Sequence, residues 1–178
     1  VVNFSSSETF YSDKRPFFSE NHSLFDVKGM SFFYIVNTRR IGGAPDYDCS
    51  KYASVIEDYC KKSEVGINDI DHAIRYTLQN ESLDFGFLGA SEADENFSKG
   101  RDFYSFRVRK NFKDLTLGYL GTKTDRPILE RTADVHSFDF TYLPNDKTRI
   151  DTIYAFSDIS QNTLCLLYTS DAADESSS

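Results

Sequence analysis

Between Asp71 and Ser160 the chain repeats one pattern: apolar and aromatic residues fall on every second position, in short runs broken by polar turns. His72, Ile74, Tyr76 and Leu78 alternate with Ala73, Arg75 and Thr77; Leu83, Phe85 and Phe87 alternate with Asp84 and Gly86. The same period holds for Tyr104, Phe106 and Val108, for Leu115, Leu117 and Tyr119, and for Phe138, Phe140 and Tyr142; a sixth run, Arg149 to Asp158, alternates less cleanly. A period of two predicts antiparallel strands with one apolar and one polar face. The connectors alternate too. "QNES", "FKD" and "PNDK" are short, whereas "SEADENFSKGR" and "TKTDRPILERTAD" are long. The expectation is an all-β, antiparallel up-and-down meander, with hairpins at Asn80, near Lys113 and near Asn145 at one end and long loops at the other.

Such a sheet can turn its apolar face to a protein core or to lipid. Strands of about nine to eleven residues suffice to cross a membrane at a tilt, and short turns opposite long loops are the habit of outer-membrane barrels. A soluble β-sandwich that binds carbohydrate or protein remains open as the alternative. The mean hydropathy of −0.48 does not separate the two, because only every second residue of a barrel strand meets lipid. No run approaches 18 apolar residues, so no transmembrane helix is expected. The formal charge of −8 argues against a nucleic-acid partner, which calls for a basic patch.

The chain is expected to be a piece of a longer protein. Residues 1–164 read as its natural part, and the tail from Cys165, "CLLYTSDAADE", resembles a translated sequencing adapter. Before the strands, "FSSSETFYSDKRPFFSE" reads as extended chain with a turn at Ser12 to Lys14, and "MSFFYIVNTRR" as a strand. Tyr52, Val55, Ile56, Tyr59 and Cys60 share one face of a helix over about 48–62, set in a loop and capped by Asp48. On one helix Cys49 and Cys60 would lie roughly 16 Å apart, too far for a disulfide, which needs about 7 Å between Cα atoms. The helix with two free thiols is the preferred expectation, and the disulfide its rival.

No catalytic motif stands out. His22, His72 and His136 have no metal-ligand spacing, and no metal or other cofactor is implied. Gly86 and Gly89 lack the setting of a dinucleotide loop and read as points of close packing or curvature. The many carboxylates leave a secreted glycoside hydrolase as a third, weaker reading. Arg75, Arg107 and Arg109 fall on the polar face, which in a barrel is the lumen, and there they require acids or water. Asp84 and Asp139 lie on the same face and complete a candidate lumen-facing set.

Several segments resemble a known family. "ETFYSDKRPFFSE" followed by "LF", then "RRIGGAP", "FRVRKNF" and "LGYLGTKTDRP" are similar to an uncharacterised family of outer-membrane β-barrel domains of Gram-negative bacteria. Those barrels usually follow a sugar-binding module similar to the family-nine carbohydrate-binding modules, and are distantly similar to TonB-dependent receptors. The resemblance covers Val1 to about Ser160 and is most specific at "KRPFF" and "RRIG". It implies an open part of a barrel wall in the bacterial outer membrane, a lipid-bilayer partner, and a link to glycan or oligosaccharide binding or uptake. Lys14, Arg15, Glu20, Arg39, Arg40, Asp125 and Arg126 match its signature charges, with the basic residues expected to clamp the entering chain to the wall. The chain departs from the family at "YIVNTRR", which inserts residues before the paired arginines, and over Asp48 to Ile67.

Overall fold

A computed structural model describes residues 13–27, 35–46, 49, 56, 60, 67–95 and 97–161. Its centre is one sheet of six antiparallel strands in chain order. These are β1 (Ile70–Gln79), β2 (Leu83–Glu92), β3 (Asp102–Asn111), β4 (Leu115–Arg126), β5 (Arg131–Asn145) and β6 (Thr148–Gln161). Each strand pairs with the next. β1 and β6 are the two edges and do not pair, so the sheet is open.

The expected hairpins form, and short polar side chains shape two of them. Asn80 Oδ1 accepts hydrogen bonds from the backbone N–H groups of Ser82 and Leu83 at 3.0 and 2.8 Å. Asn145 Oδ1 accepts one from Lys147 N–H at 3.0 Å. Each side chain stands in for a backbone turn acceptor. In the meander, these two turns and the one before Leu115 lie at the same end.

The long connector expected between the fourth and fifth strands is not there. β4 runs on to Arg126 and β5 begins at Arg131, leaving Pro127–Leu129 as a 3-10 turn and Glu130 in the left-handed region at φ 46°. Pairing continues through Thr122–Val135, Thr124–Ala133 and Arg126–Arg131. These β-branched and polar residues favour strand without producing hydrophobic alternation. β5 and β6, at 15 and 14 residues, are accordingly longer than the apolar runs suggested.

The two faces have opposite surroundings. Ile74, Tyr76, Phe85, Phe106, Leu117, Tyr119, Phe138 and Phe156 share one face through the strand register. None of them is buried; Ile74 is 59% exposed, and Tyr154 on the same face 64%. The other face carries Arg75, Asp84, Leu88, Arg107, Leu120, Ser137 and Asp139, and the amino-terminal segment packs on it. There Arg107 is 1% exposed and Ser137 0%. The polar face is the covered one and the aromatic face is bare.

The covering segment is irregular. The expected extended chain at Pro16–Ser19 is instead a single helical turn, α1, with proline at its start, where a missing N–H costs nothing. The predicted strand ending in "RR" is not a strand where it is described; Thr38–Arg40 forms a 3-10 turn. Phe18, Leu24, Phe25, Val27, Val36 and Ile41 make a small core with Leu88, Ala90 and Leu120 of the sheet. Gly86 gives this packing its closeness: a Cβ there would stand 2.8 Å from Leu24 Cδ2 and 2.9 Å from Phe25 Cζ.

Cys49 and Cys60 are joined by a disulfide, with Cα atoms 5.7 Å apart. This corrects the expectation of free thiols. Ile56 and Cys60 have helical backbone, whereas Cys49 lies in a 3-10 turn. One unbroken helix through both cysteines is therefore excluded by the distance, and the rest of the expected 48–62 helix lies outside the described residues. The adapter-like tail from Cys165 lies outside them too.

Replacing Gly86 by Val should push Leu24 and Phe25 off the sheet. The expected loss is about 1–3 kcal/mol, as for other overpacked sites, read by chemical unfolding. Unchanged stability would show that the segment does not rest on β2.

Candidate functional site

The covered face is a chain of ion pairs running beneath the amino-terminal segment. At its centre the Arg107 guanidinium grips Asp139 with both nitrogens, Nη2 to Oδ2 at 2.9 Å and Nη1 to Oδ1, and its Nε donates to the Leu24 carbonyl at 3.3 Å. Gly118 makes room for this pair: a Cβ there would lie 2.4 Å from the Asp139 carboxylate oxygens. Beside it, Arg109 Nε donates to Asp84 Oδ2 at 2.8 Å. Arg75 reaches the other way, to Glu20 at 2.5 Å and to the Glu20 carbonyl at 2.8 Å, and also to the Phe17 carbonyl. The five residues placed on this face from the alternation, Arg75, Asp84, Arg107, Arg109 and Asp139, are thus brought together, with Glu20 tying α1 to them.

A second cluster lies at the other end of the strands. Glu92 is held by Arg101 (Nε to Oε2 2.7 Å, Nη2 to Oε1 2.8 Å), by Asn68 Nδ2 at 2.9 Å and by the Gly42 N–H at 2.8 Å. Arg101 also donates to the Arg40 carbonyl at 3.3 Å. Arg126 grips Asp46, with Nε to Oδ2 at 2.8 Å. Asp13, Asp46, Asn68, Glu92 and Arg101 escaped the sequence reading. Glu92 and Arg101 do bracket the long connector with opposite charges, which was the available signal.

The signature charges separate into four groups. Arg15 clamps the turn at residues 38–41: it is chelated by Asp13 and donates to the Thr38 and Ile41 carbonyls at 2.8 and 2.7 Å. Arg126 and Glu20 bridge segment and sheet as described. Lys14, Arg39 and Arg40 have exposed side chains, and Asp125 accepts from the Thr132 hydroxyl at 3.1 Å at the polar margin of the aromatic face.

Chemically, this face binds chain to chain. Asp84, Glu92, Asp46 and Asp139 are each ion-paired with arginine; for Glu92, burial works to raise the pKa, but hydrogen bonds from Arg101, Asn68 and the Gly42 N–H outweigh it and hold the carboxyl below the usual range. Among the described residues no group of His, Cys, Asp and Glu is placed to hold a metal. The opposite face offers contact area instead. Rings touch in sequence across all six strands, Tyr76–Phe85–Phe106–Tyr119–His136–Phe156, with centroids 5.0–6.4 Å apart. The Tyr119 ring lies over Gly121, and its hydroxyl meets His136 Nδ1 at 2.8 Å.

The chain matches no protein-family model, no curated protein and no solved structure. Among the described residues no helix is long and apolar enough to cross a membrane, which leaves a β-barrel crossing untouched.

Two outcomes follow from the ion pairs. Asp139→Ala strands the buried Arg107 charge and should cost about 3–5 kcal/mol, whereas the double change Arg107→Met with Asp139→Leu should recover most of that loss; chemical unfolding of the three proteins decides. Burial alone would raise the pKa of Asp13, but hydrogen bonds from the Arg15 side chain and backbone and from the Thr38 hydroxyl outweigh it and pull it down to about 2. A lowered carboxylate pKa stabilises the fold above the unfolded value near 3.8 and loses that contribution as pH falls toward about 2. An acid titration should therefore loosen the Asp13–Arg15–Thr38 clamp inside the amino-terminal segment across that window, and Asp13→Asn should abolish that step.

Proposed function

We propose that this sheet is part of the wall of a bacterial outer-membrane β-barrel, with its aromatic face toward lipid and its charged face toward the lumen. In this reading the amino-terminal segment fills the lumen side, and the protein serves carbohydrate binding or uptake. The observation that carries the reading is the inversion of the faces. Water selects sheets that bury aromatic residues and expose charged ones. Here Arg107 and Asp139 lie beneath the segment while a belt of rings across all six strands stays bare. Soluble monomers rarely tolerate contiguous apolar patches beyond a few hundred Å², whereas lipid requires one.

Two further features support the reading. The outward apolar rows end in charge, at Lys110 toward the short turns and at Asp102, Lys123, Asp134 and Asp158 toward the other end. That is the layout of a band with two polar margins. The Cys49–Cys60 disulfide fits an oxidising compartment such as the periplasm or cell surface. The carbohydrate part rests on the likeness of "KRPFF" and "RRIG" to barrels that usually follow a sugar-binding module.

The test places a charge in the belt. A cation at the bilayer midplane costs about 2–4 kcal/mol, so Phe106→Arg should strongly reduce assembly into the outer membrane of a Gram-negative host. The turn variant Lys113→Glu should assemble normally. Equal assembly of both variants would refute a lipid-facing Phe106. A sharp cooperative melt of a detergent-free soluble monomer would instead assign the aromatic face to a second protein layer, as in a sandwich.

A further inference from the structure

Arg131 opens β5 directly opposite Arg126, the last residue of β4. By the strand period both fall on the charged face, the one that carries Ser137 and Asp139. Like charges directly opposite on one face of a sheet destabilise it. Asp46 neutralises Arg126, and one of its oxygens also stands 3.9 Å from Arg101. Glu92 is taken up by Arg101, Asn68 and Gly42. Of three arginines at neighbouring strand ends, Arg101 and Arg126 thus take both carboxylates. Arg131 is the one left over: among the described residues no hydrogen bond or ion pair reaches its side chain, and its Nε is buried without a partner.

A buried guanidinium nitrogen without an acceptor is costly. A guanidinium presents a rigid fork of N–H donors that fits a carboxylate or another oxyanion in two parallel bonds. We propose that Arg131, backed by Arg126, is an anion-recognition position at the mouth of the charged face, taking the carboxylate of an acidic saccharide. The anion part rests on this cluster alone. The saccharide part rests on the proposed function, which makes this face a lumen for carbohydrate.

The test uses the full chain in detergent micelles and isothermal titration with trigalacturonate, inorganic sulfate and neutral cellotriose. Trigalacturonate should bind more tightly than sulfate, and cellotriose should not bind. Arg131→Gln should weaken trigalacturonate about tenfold or more, the scale of a lost charge-assisted hydrogen bond. The same variant should leave the thermal midpoint of the unliganded chain unchanged or higher, because it removes a buried nitrogen that has no acceptor. Unchanged affinity in Arg131→Gln, or no binding of trigalacturonate, would overturn the proposal. A joint fall in affinity and thermal midpoint would make Arg131 a structural residue and overturn it as well. Sulfate binding as tightly as trigalacturonate would overturn the saccharide assignment. If Phe106→Arg assembles normally while Arg131→Gln loses trigalacturonate, the lumen reading fails and the anion position stands.

Discussion

The Arg107–Asp139 pair is the constraint on which the rest of the molecule depends. Arg107 spends its donors on the Asp139 carboxylate of β5 and the Leu24 carbonyl of the covering segment. It therefore ties β3 to a strand two places away and ties both to a chain segment more than 80 residues earlier. A buried ion pair of this kind contributes little net stability, since desolvation offsets the attraction, but breaking it is expensive. Its consequence is specificity. A one-residue slip of β3 would carry Arg107 and Arg109 to the aromatic face and leave Asp84 and Asp139 without partners. The close fit at Gly118 and Gly86 adds to this, because neither the carboxylate nor Leu24 and Phe25 could approach a strand with side chains there.

What was legible in the sequence follows from the physical period of each signal. Strand alternation placed β1 to β5 and put Arg75, Asp84, Arg107, Arg109 and Asp139 on one face, because the pleat alone fixes which residues share a face. The asparagine turns could be read because their chemistry is local. The β4–β5 hairpin could not: beyond Leu120 the pairing is carried by Thr122, Thr124 and Thr132, whose β preference leaves no hydrophobic period. The disulfide was hidden because a helical period in Tyr52 to Cys60 argued for a separation of the two cysteines that the 5.7 Å between their Cα atoms excludes. The docking of α1 and the 38–41 turn was least accessible. It rests on carbonyl oxygens of Phe17, Leu24, Thr38 and Ile41 as acceptors, and backbone acceptors leave no mark in a sequence.

The covering segment is held by two unlike means, and they respond to different conditions. Its apolar residues, Phe18, Leu24, Phe25, Val27, Val36 and Ile41, pack on Leu88, Ala90 and Leu120, a contact that has no charge to titrate or screen. Its polar attachments, Glu20 to Arg75, Asp46 to Arg126 and the Gly42 N–H to Glu92, lie around the rim of that contact. The exposed Glu20 carboxylate makes its bridge the most easily screened. Asp46 and Glu92 are shielded, so their end of the segment holds on longer. Detachment should start at α1 and end at the Asp46 cluster, near the arginine mouth.

The open edges also bear on which solvent the sheet meets. β6 is 14 residues long and one of its sides carries no hydrogen-bond partner in the sheet; β1 leaves a shorter row open on the opposite side. In water such rows are solvated, at the risk of pairing with other chains. In lipid each unpaired N–H or C=O costs several kcal/mol, so strands spanning a bilayer must close into a ring of pairs. If Ile74, Tyr76, Tyr154 and Phe156 face acyl chains, the backbones that carry them require further strands on both sides. The lipid reading of the aromatic face and the open sheet are therefore consistent only when β1 and β6 are continued by other strands, and the number of those strands sets how wide a lumen the charged face would line.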